Sequence, residues 1–293
     1  GSLNATLIGD LFRGRKMTQA MGYNASILSI GTAVYPSLGG ALATLGWYVP
    51  FALPILGLVV AAAVLFRLEA VEVEPNAGLE SYLREALTGM KNRKVLGLFL
   101  VSIMTFVVLY GAYTTFIPLH LSQEFGSTAL AIGLLMSIGS LSTAATASNL
   151  GALTRRIRPE RLIINAFLLY ALSFLVIPFL PGHWWVAVPV ALFGVAQGMN
   201  YPVVMSLLAN LAPTEHRAIF MSANGMVLRV GQTLGPLVMA AVFAWEGMAA
   251  VFYAAAVLCG AMFVVLPWLV ERPLNALFFF KQKTAYEIMS SDW

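Results

Sequence analysis

Met21-Gly-Tyr-Asn-Ala-Ser-Ile-Leu-Ser-Ile-Gly-Thr-Ala-Val-Tyr-Pro36 recurs without a gap as Met221-Ser-Ala-Asn-Gly-Met-Val-Leu-Arg-Val-Gly-Gln-Thr-Leu-Gly-Pro236. The pairs Met21/Met221, Asn24/Asn224, Leu28/Leu228, Gly31/Gly231 and Pro36/Pro236 are identical, and Ile27/Val227 and Ile30/Val230 are conservative. Each copy lies in an apolar run that follows a basic turn. A repeat of this kind predicts two related helical bundles, with a solute site where they meet.

The surrounding composition agrees. The chain is 59% hydrophobic and 10% charged, with a mean hydropathy of +0.82, well outside ordinary soluble usage. Apolar runs of about 20 residues, the length that crosses a bilayer, recur along it. Eight are expected, roughly at 20–45, 49–67, 95–119, 128–150, 162–181, 184–210, 217–244 and 248–270. Their length and short connections indicate helices, since a β-barrel would show alternating segments of about ten residues. Of the 17 Lys and Arg, all but Arg229, Lys281 and Lys283 fall in alternate connections on one side of these helices. That asymmetry predicts a cytoplasmic basic side, with Trp47, Tyr48, Trp184, Trp185 and Trp245 belting the opposite interface. The net charge of +4 therefore reports topology and implies no nucleic-acid partner. Cys259 is the single cysteine, so no disulfide forms within the chain. No metal-ligand spacing, nucleophile elbow or phosphate loop appears, so neither a metal nor a cofactor is expected.

The polar residues sort the helices. Those at 95–119, 128–150, 184–210 and 217–244 carry hydroxyls and amides, whereas 49–67, 162–181 and 248–270 carry almost none. Polar groups in a bilayer must face protein or a wet cavity, so the first four are expected to line one and the others to face lipid. Between the two regions, Glu69–Lys94 is the longest polar stretch, and Leu79, Leu83, Ala86, Leu87 and Met90 have helical spacing. It reads as a linker with an amphipathic helix at the membrane surface. The chain ends differently. Lys281-Gln-Lys-Thr-Ala-Tyr-Glu-Ile288 is the translation of a sequence resembling a short-read sequencing adapter, so 275–293 is expected to be a non-native tail.

Two segments carry a family likeness. Gly31-Thr-Ala-Val-Tyr-Pro36-Ser-Leu-Gly39-Gly40 resembles the pattern G-x-x-x-G-P-x-x-G-G, with Tyr35 in place of the second glycine. Gly151-Ala-Leu-Thr-Arg155-Arg156-Ile-Arg158-Pro-Glu-Arg161 resembles G-x-L-a-D-R-x-G-R-R, with Arg155 at the acidic position. With the paired bundles and polar linker, they resemble the major facilitator superfamily, as its fifth-helix antiporter motif and its loop signature. The likeness extends over roughly 1–274. It implies an all-α integral membrane fold, here a fragment with eight transmembrane helices equivalent to helices five to twelve of twelve. On that reading 1–68 is a remnant of the first bundle (the end of helix four, then helices five and six). Residues 69–94 are the linker, and 95–274 the second bundle. Because both repeat copies must be fifth helices of their halves, four helices are expected to precede this sequence.

Candidate functional residues follow from polarity at depth. Arg229 lies about 18 Å along its helix from Arg217 at 1.5 Å per residue, and a charge near mid-membrane is a functional candidate by default. Asn224 and Gln232 flank it. Asn200 and Gln197 sit mid-helix beside Tyr201-Pro202, where Gly194, Gly198 and Pro202 suggest a bendable gate. Tyr110 and Tyr113 flank Gly111. The expected substrate and coupling set is therefore Arg229, Asn224, Gln232, Asn200, Gln197, Tyr110 and Tyr113. Gly31, Pro36, Gly39 and Gly40 form the antiporter-like motif, and Gly151, Arg155 and Arg156 the loop signature. His120 and His183 read as wet interfacial side chains. Helices 95–270 hold no central Asp or Glu, so a proton-carrying carboxylate is expected elsewhere. The resemblance implies a secondary active transporter, monomeric and in the inner membrane. It would export drugs or small metabolites by proton-coupled alternating access. Uptake of a sugar or organic anion is the alternative within transport; a membrane receptor or embedded enzyme is the alternative outside it.

Overall fold

A computed structural model of the chain describes residues 8–9, 11–43, 92–213 and 216–271, with residues 48 and 57. The helix expected at 49–67, nearly all of the linker and the tail at 275–293 lie outside the described residues. Every regular element among the described residues is helical. The main helices are α1 (Gly14–Ala43), α2 (Arg93–Phe125), α3 (Ala129–Ser148), α4 (Leu150–Arg156), α5 (Pro159–Val176), α6 (Ala187–Leu211) and α7 (Arg217–Leu266).

Local chemistry sets the ends. Asn92 caps α2 by accepting from Lys94 N at 2.9 Å, and Gly126 stops it in the left-handed region at φ 58°. Thr128 caps α3. Pro159 opens α5 at its first turn, where a missing N–H costs nothing. Helix α7 breaks at Gly247, whose φ of 80° and ψ of −169° separate an outgoing limb, 217–246, from a returning one, 248–266. Helix starts at 14 and 159 precede the expected 20 and 162, because apolar runs mark the membrane-embedded part and miss the polar first turn. The loop signature forms the short helix α4 after a one-residue break at Asn149, where the sequence suggested only a basic turn.

Helix directions follow from contacts. Gly231, Gly235 and Met239 meet Ile103, Val107 and Gly111 in step, so the outgoing limb of α7 runs parallel to α2. Arg93 donates to the Trp268 carbonyl at 2.9 Å, while His120 meets Phe252 near the other end, so the returning limb is antiparallel to α2. Apolar side chains gain little by leaving lipid for one another, so close backbone approach carries much of the association. A Cβ on Gly235 would lie 2.6 Å from the Val107 carbonyl, and one on Gly198 2.6 Å from that of Thr143. Gly194 likewise backs onto Gly139. Gly194 and Gly198, expected to loosen α6, thus form its contact face with α3.

The two ends differ in chemistry. One gathers Arg15, Arg155, Arg156 and Arg158; the other exposes Trp184, Trp185 and Trp245. Helix α1 packs antiparallel on α3 at the basic end. Ser26 donates to the Ala144 carbonyl at 3.0 Å, and Gly22 is pressed against the Ala147 carbonyl. Leu168, Leu172, Leu175, Val257 and Val264 lie exposed on α5 and the returning limb, the two surfaces expected to meet lipid.

Candidate functional site

The site begins at a π-helical stretch within α2, Leu109–Phe116. Such insertions often mark functional positions. Thr115 Oγ1 bonds the Tyr110 carbonyl five residues back at 2.7 Å, and Gly111 lies directly against the Gly235 backbone. The wider turn separates the two tyrosines. Both border the cleft, but Tyr110 is open to both chambers, whereas Tyr113 is only 7% exposed and stacks on Phe193 with ring centroids 4.0 Å apart. An α-helical register does not anticipate this division.

The cleft has two chambers. One, of about 690 Å³, takes Ser29 and Thr32 from α1, Tyr110 and Tyr113 from α2, Ser137 from α3 and Gln197 from α6. The other, of about 650 Å³, sets Met21, Asn24 and Leu28 of α1 with Met221, Asn224 and Leu228 of α7. Three of the five identical repeat pairs thus share one cavity. Leu28, Phe106, Tyr110 and Tyr201 wall both chambers, so the two are continuous. No lining residue comes from α5 or the returning limb of α7. Arg229 is the one charged residue lining either chamber among the described residues.

The expected residues divide into an open and a closed group. Arg229 is exposed to the second chamber, and its Nη1 donates to Gln232 Oε1 at 2.7 Å. Gln197 lines the first chamber while its Oε1 accepts from the Tyr170 hydroxyl at 2.5 Å. Asn224 touches the second chamber in outline, yet its side chain is 0% exposed, so we place it behind the wall. There its Oδ1 accepts from Ser102 at 2.7 Å. Asn200 is also 0% exposed and donates to Thr105 Oγ1 at 2.6 Å. Gly31 is half-buried on α1; Pro36, Gly39 and Gly40 lie further along the same helix. Gly151 gives Gln19 of α1 its place, since a Cβ there would meet Gln19 Cδ at 2.9 Å. Arg155 and Arg156 are exposed at the end of α4. Of the antiporter-like motif, Thr32 lines the first chamber; Gly151, Arg155 and Arg156 line neither.

Two residues stand otherwise than the sequence suggested. His120, expected to be wet, is 8% exposed, wedged edge-on between Phe125 and Phe252. A hydropathy pattern cannot show that two aromatic rings close over it. Arg217, read only as a topological charge, is 1% exposed. Its Nε donates to the Ala209 carbonyl at 3.0 Å and its Nη1 to the Gly9 carbonyl at 2.8 Å. With the Thr18–Ser206 hydroxyl contact at 2.6 Å, it ties the basic end shut. The only sequence signal was the Arg itself, because these two acceptors are main-chain atoms.

A cleft walled by five helices, closed at one end and lined by aromatic rings, hydroxyls and one guanidinium, defines the class: a multi-pass helical membrane protein built around a solute cavity. The profile of the Major Facilitator Superfamily matches residues 2–181 and 110–285. The chain belongs to that superfamily, whose members are transporters and not enzymes. It is 28% identical over 174 residues to the multidrug resistance protein MdtG of Citrobacter koseri, covering 58% of this chain and 43% of that protein. It is 30% identical over 175 residues to MdtG of Salmonella arizonae, with the same coverage. The chain thus spans less than half the length of the curated relatives it matches. In fold it resembles the human organic anion transporter MFSD10, with a TM-score of 0.74 at 22% identity over 90% of this chain and 67% of that one. It also resembles the transporter FucP in its outward conformation, with a TM-score of 0.72 at 13% identity over 91% and 72%.

Proposed function

We propose that the chain forms the solute path of a secondary transporter that exports amphipathic small molecules across the inner membrane in exchange for protons. The basic end would face the cytoplasm, following the distribution of Lys and Arg. The observation that carries the proposal is the cleft lining. Phe106, Tyr110 and Tyr201 offer ring faces to both chambers, Gln197 and Ser137 offer hydrogen bonds, and Arg229 supplies one positive charge. That combination suits a solute with an apolar body and few polar groups. The likeness to multidrug resistance proteins supports the export direction. Closure at the basic end supports an outward-facing state of an alternating-access cycle.

Uptake of an organic anion is the second reading, favoured by Arg229 alone. Inside-out vesicles separate the two. With an acidified lumen, proton exchange drives an amphipathic dye into the vesicle, whereas proton symport drives solute out. Accumulation that collapses when the pH gradient is dissipated is expected. Depletion of the dye would reverse the assigned direction, and indifference to the gradient would remove the coupling.

A further inference from the structure

Away from the cleft, a third cavity of about 390 Å³ opens at the basic end, where α1, the α4–α5 turn and the end of α6 converge. Arg15, Arg155, Arg156 and Arg158 line it, with Thr18 and Asn210 between them and no acidic residue in the lining among the described residues. Arg15, Arg155 and Arg156 have no ion-pair or hydrogen-bond partner among the described residues. Arg158 meets Glu160 only at 4.0 Å, with 69% of its own side chain exposed. Surface pairs of that kind contribute little. Arg155 stands where the loop signature has an acid, so this segment adds positive charge where the pattern would neutralise it. Four guanidinium groups around one hollow repel one another, and the long contact to Glu160 is their single ion pair among the described residues.

We propose that this hollow binds a phosphate-bearing anion that bridges α1 to the α4–α5 turn. Guanidinium forks match phosphate oxygens in pairs, and basic pockets between membrane helices at a cytoplasmic face suit anionic headgroups. The bound group joins Arg15 on one side of the α1–α3 seam to Arg155, Arg156 and Arg158 on the other. It therefore reinforces the same closed end that Arg217 and the Thr18–Ser206 contact secure. The inference does not depend on the solute or direction proposed above.

The test is the thermal midpoint of the purified chain in phosphatidylcholine nanodiscs, against discs containing phosphatidylglycerol and against added inorganic phosphate. Phosphatidylglycerol is expected to raise the midpoint by about 3 °C or more, by mass action on the folded state. The Arg155→Gln/Arg158→Gln variant should lose most of that rise, while Arg13→Gln, which does not line the hollow, keeps it. Protection by inorganic phosphate alone would identify the free anion as ligand; protection by phosphatidylglycerol alone would identify the lipid headgroup. Native mass spectrometry of the same samples should show one retained anion that is absent from the double variant. The proposal fails if no anion protects, if the double variant is protected as fully as the parent, or if Arg13→Gln loses protection equally.

Discussion

Two arginines on one helix show how little a residue's identity says about its work. Arg217 is buried and spends its donors on the Ala209 and Gly9 carbonyls, the second of them 208 positions away in the chain. Arg229 is exposed to a chamber and holds only Gln232. Both read from the sequence as charges at the start and middle of an apolar run. Hydropathy cannot separate them, because main-chain acceptors leave no mark in side-chain chemistry. The structure predicts opposite responses to the same substitution. Arg217→Gln removes hydrogen bonds from a charged donor and leaves buried carbonyls unsatisfied, at a cost of about 2–3 kcal/mol. Arg229→Gln should leave stability within about 0.5 kcal/mol while weakening binding of an amphipathic anion about tenfold and an amphipathic cation little. Melting curves and ligand titrations on the two variants check this. Equal destabilisation would mean that Arg229 is also structural.

At the level of helices, contact rests on absent side chains and short polar ties. A Cβ on Gly235 would meet Val107 O at 2.6 Å and Gly111 N at 2.9 Å, both backbone atoms that cannot step aside. Gly235→Ala must therefore push α2 and α7 apart, costing about 1–3 kcal/mol. Gly133→Ala, with nothing within 4 Å of its Cβ, should be near neutral in the same unfolding assay. Asn224→Leu breaks the Ser102 tie between these helices and should cost about 1 kcal/mol, in the range of hydrogen bonds between membrane helices. The helices themselves were legible, since each is a long apolar run and the polar ones wall the cleft. The register of the tyrosines was not. Tyr110 and Tyr113 look equivalent until the π-helical turn around Gly111 leaves one open to both chambers and the other at the edge of one, stacked on Phe193. That turn depends on how closely α7 approaches, which a local sequence window does not contain.

Over the whole molecule, the repeat that led the sequence reading to two bundles also brings its own copies together. Met21, Asn24 and Leu28 border a chamber with Met221 and Leu228, with Asn224 just behind its wall, and the diverged pair Ser29 and Arg229 lines different chambers. Alternating access requires the basic end, now closed, to open. Opening must part Thr18 from Ser206, whose hydroxyl oxygens lie 2.6 Å apart. Paired cysteines at those two positions are close enough for a disulfide after small side-chain adjustments. The native Cys259 is 1% exposed and does not compete for oxidant. The Thr18→Cys/Ser206→Cys variant is therefore expected to oxidise readily, read as loss of maleimide labelling. Once oxidised, it should still bind ligand in the cleft but lose gradient-driven dye movement in inside-out vesicles, with that movement restored to parent behaviour by reductant. Undiminished dye movement in the oxidised state would show that α1 and α6 stay joined through the cycle, and opening at this end would then have to occur along another seam.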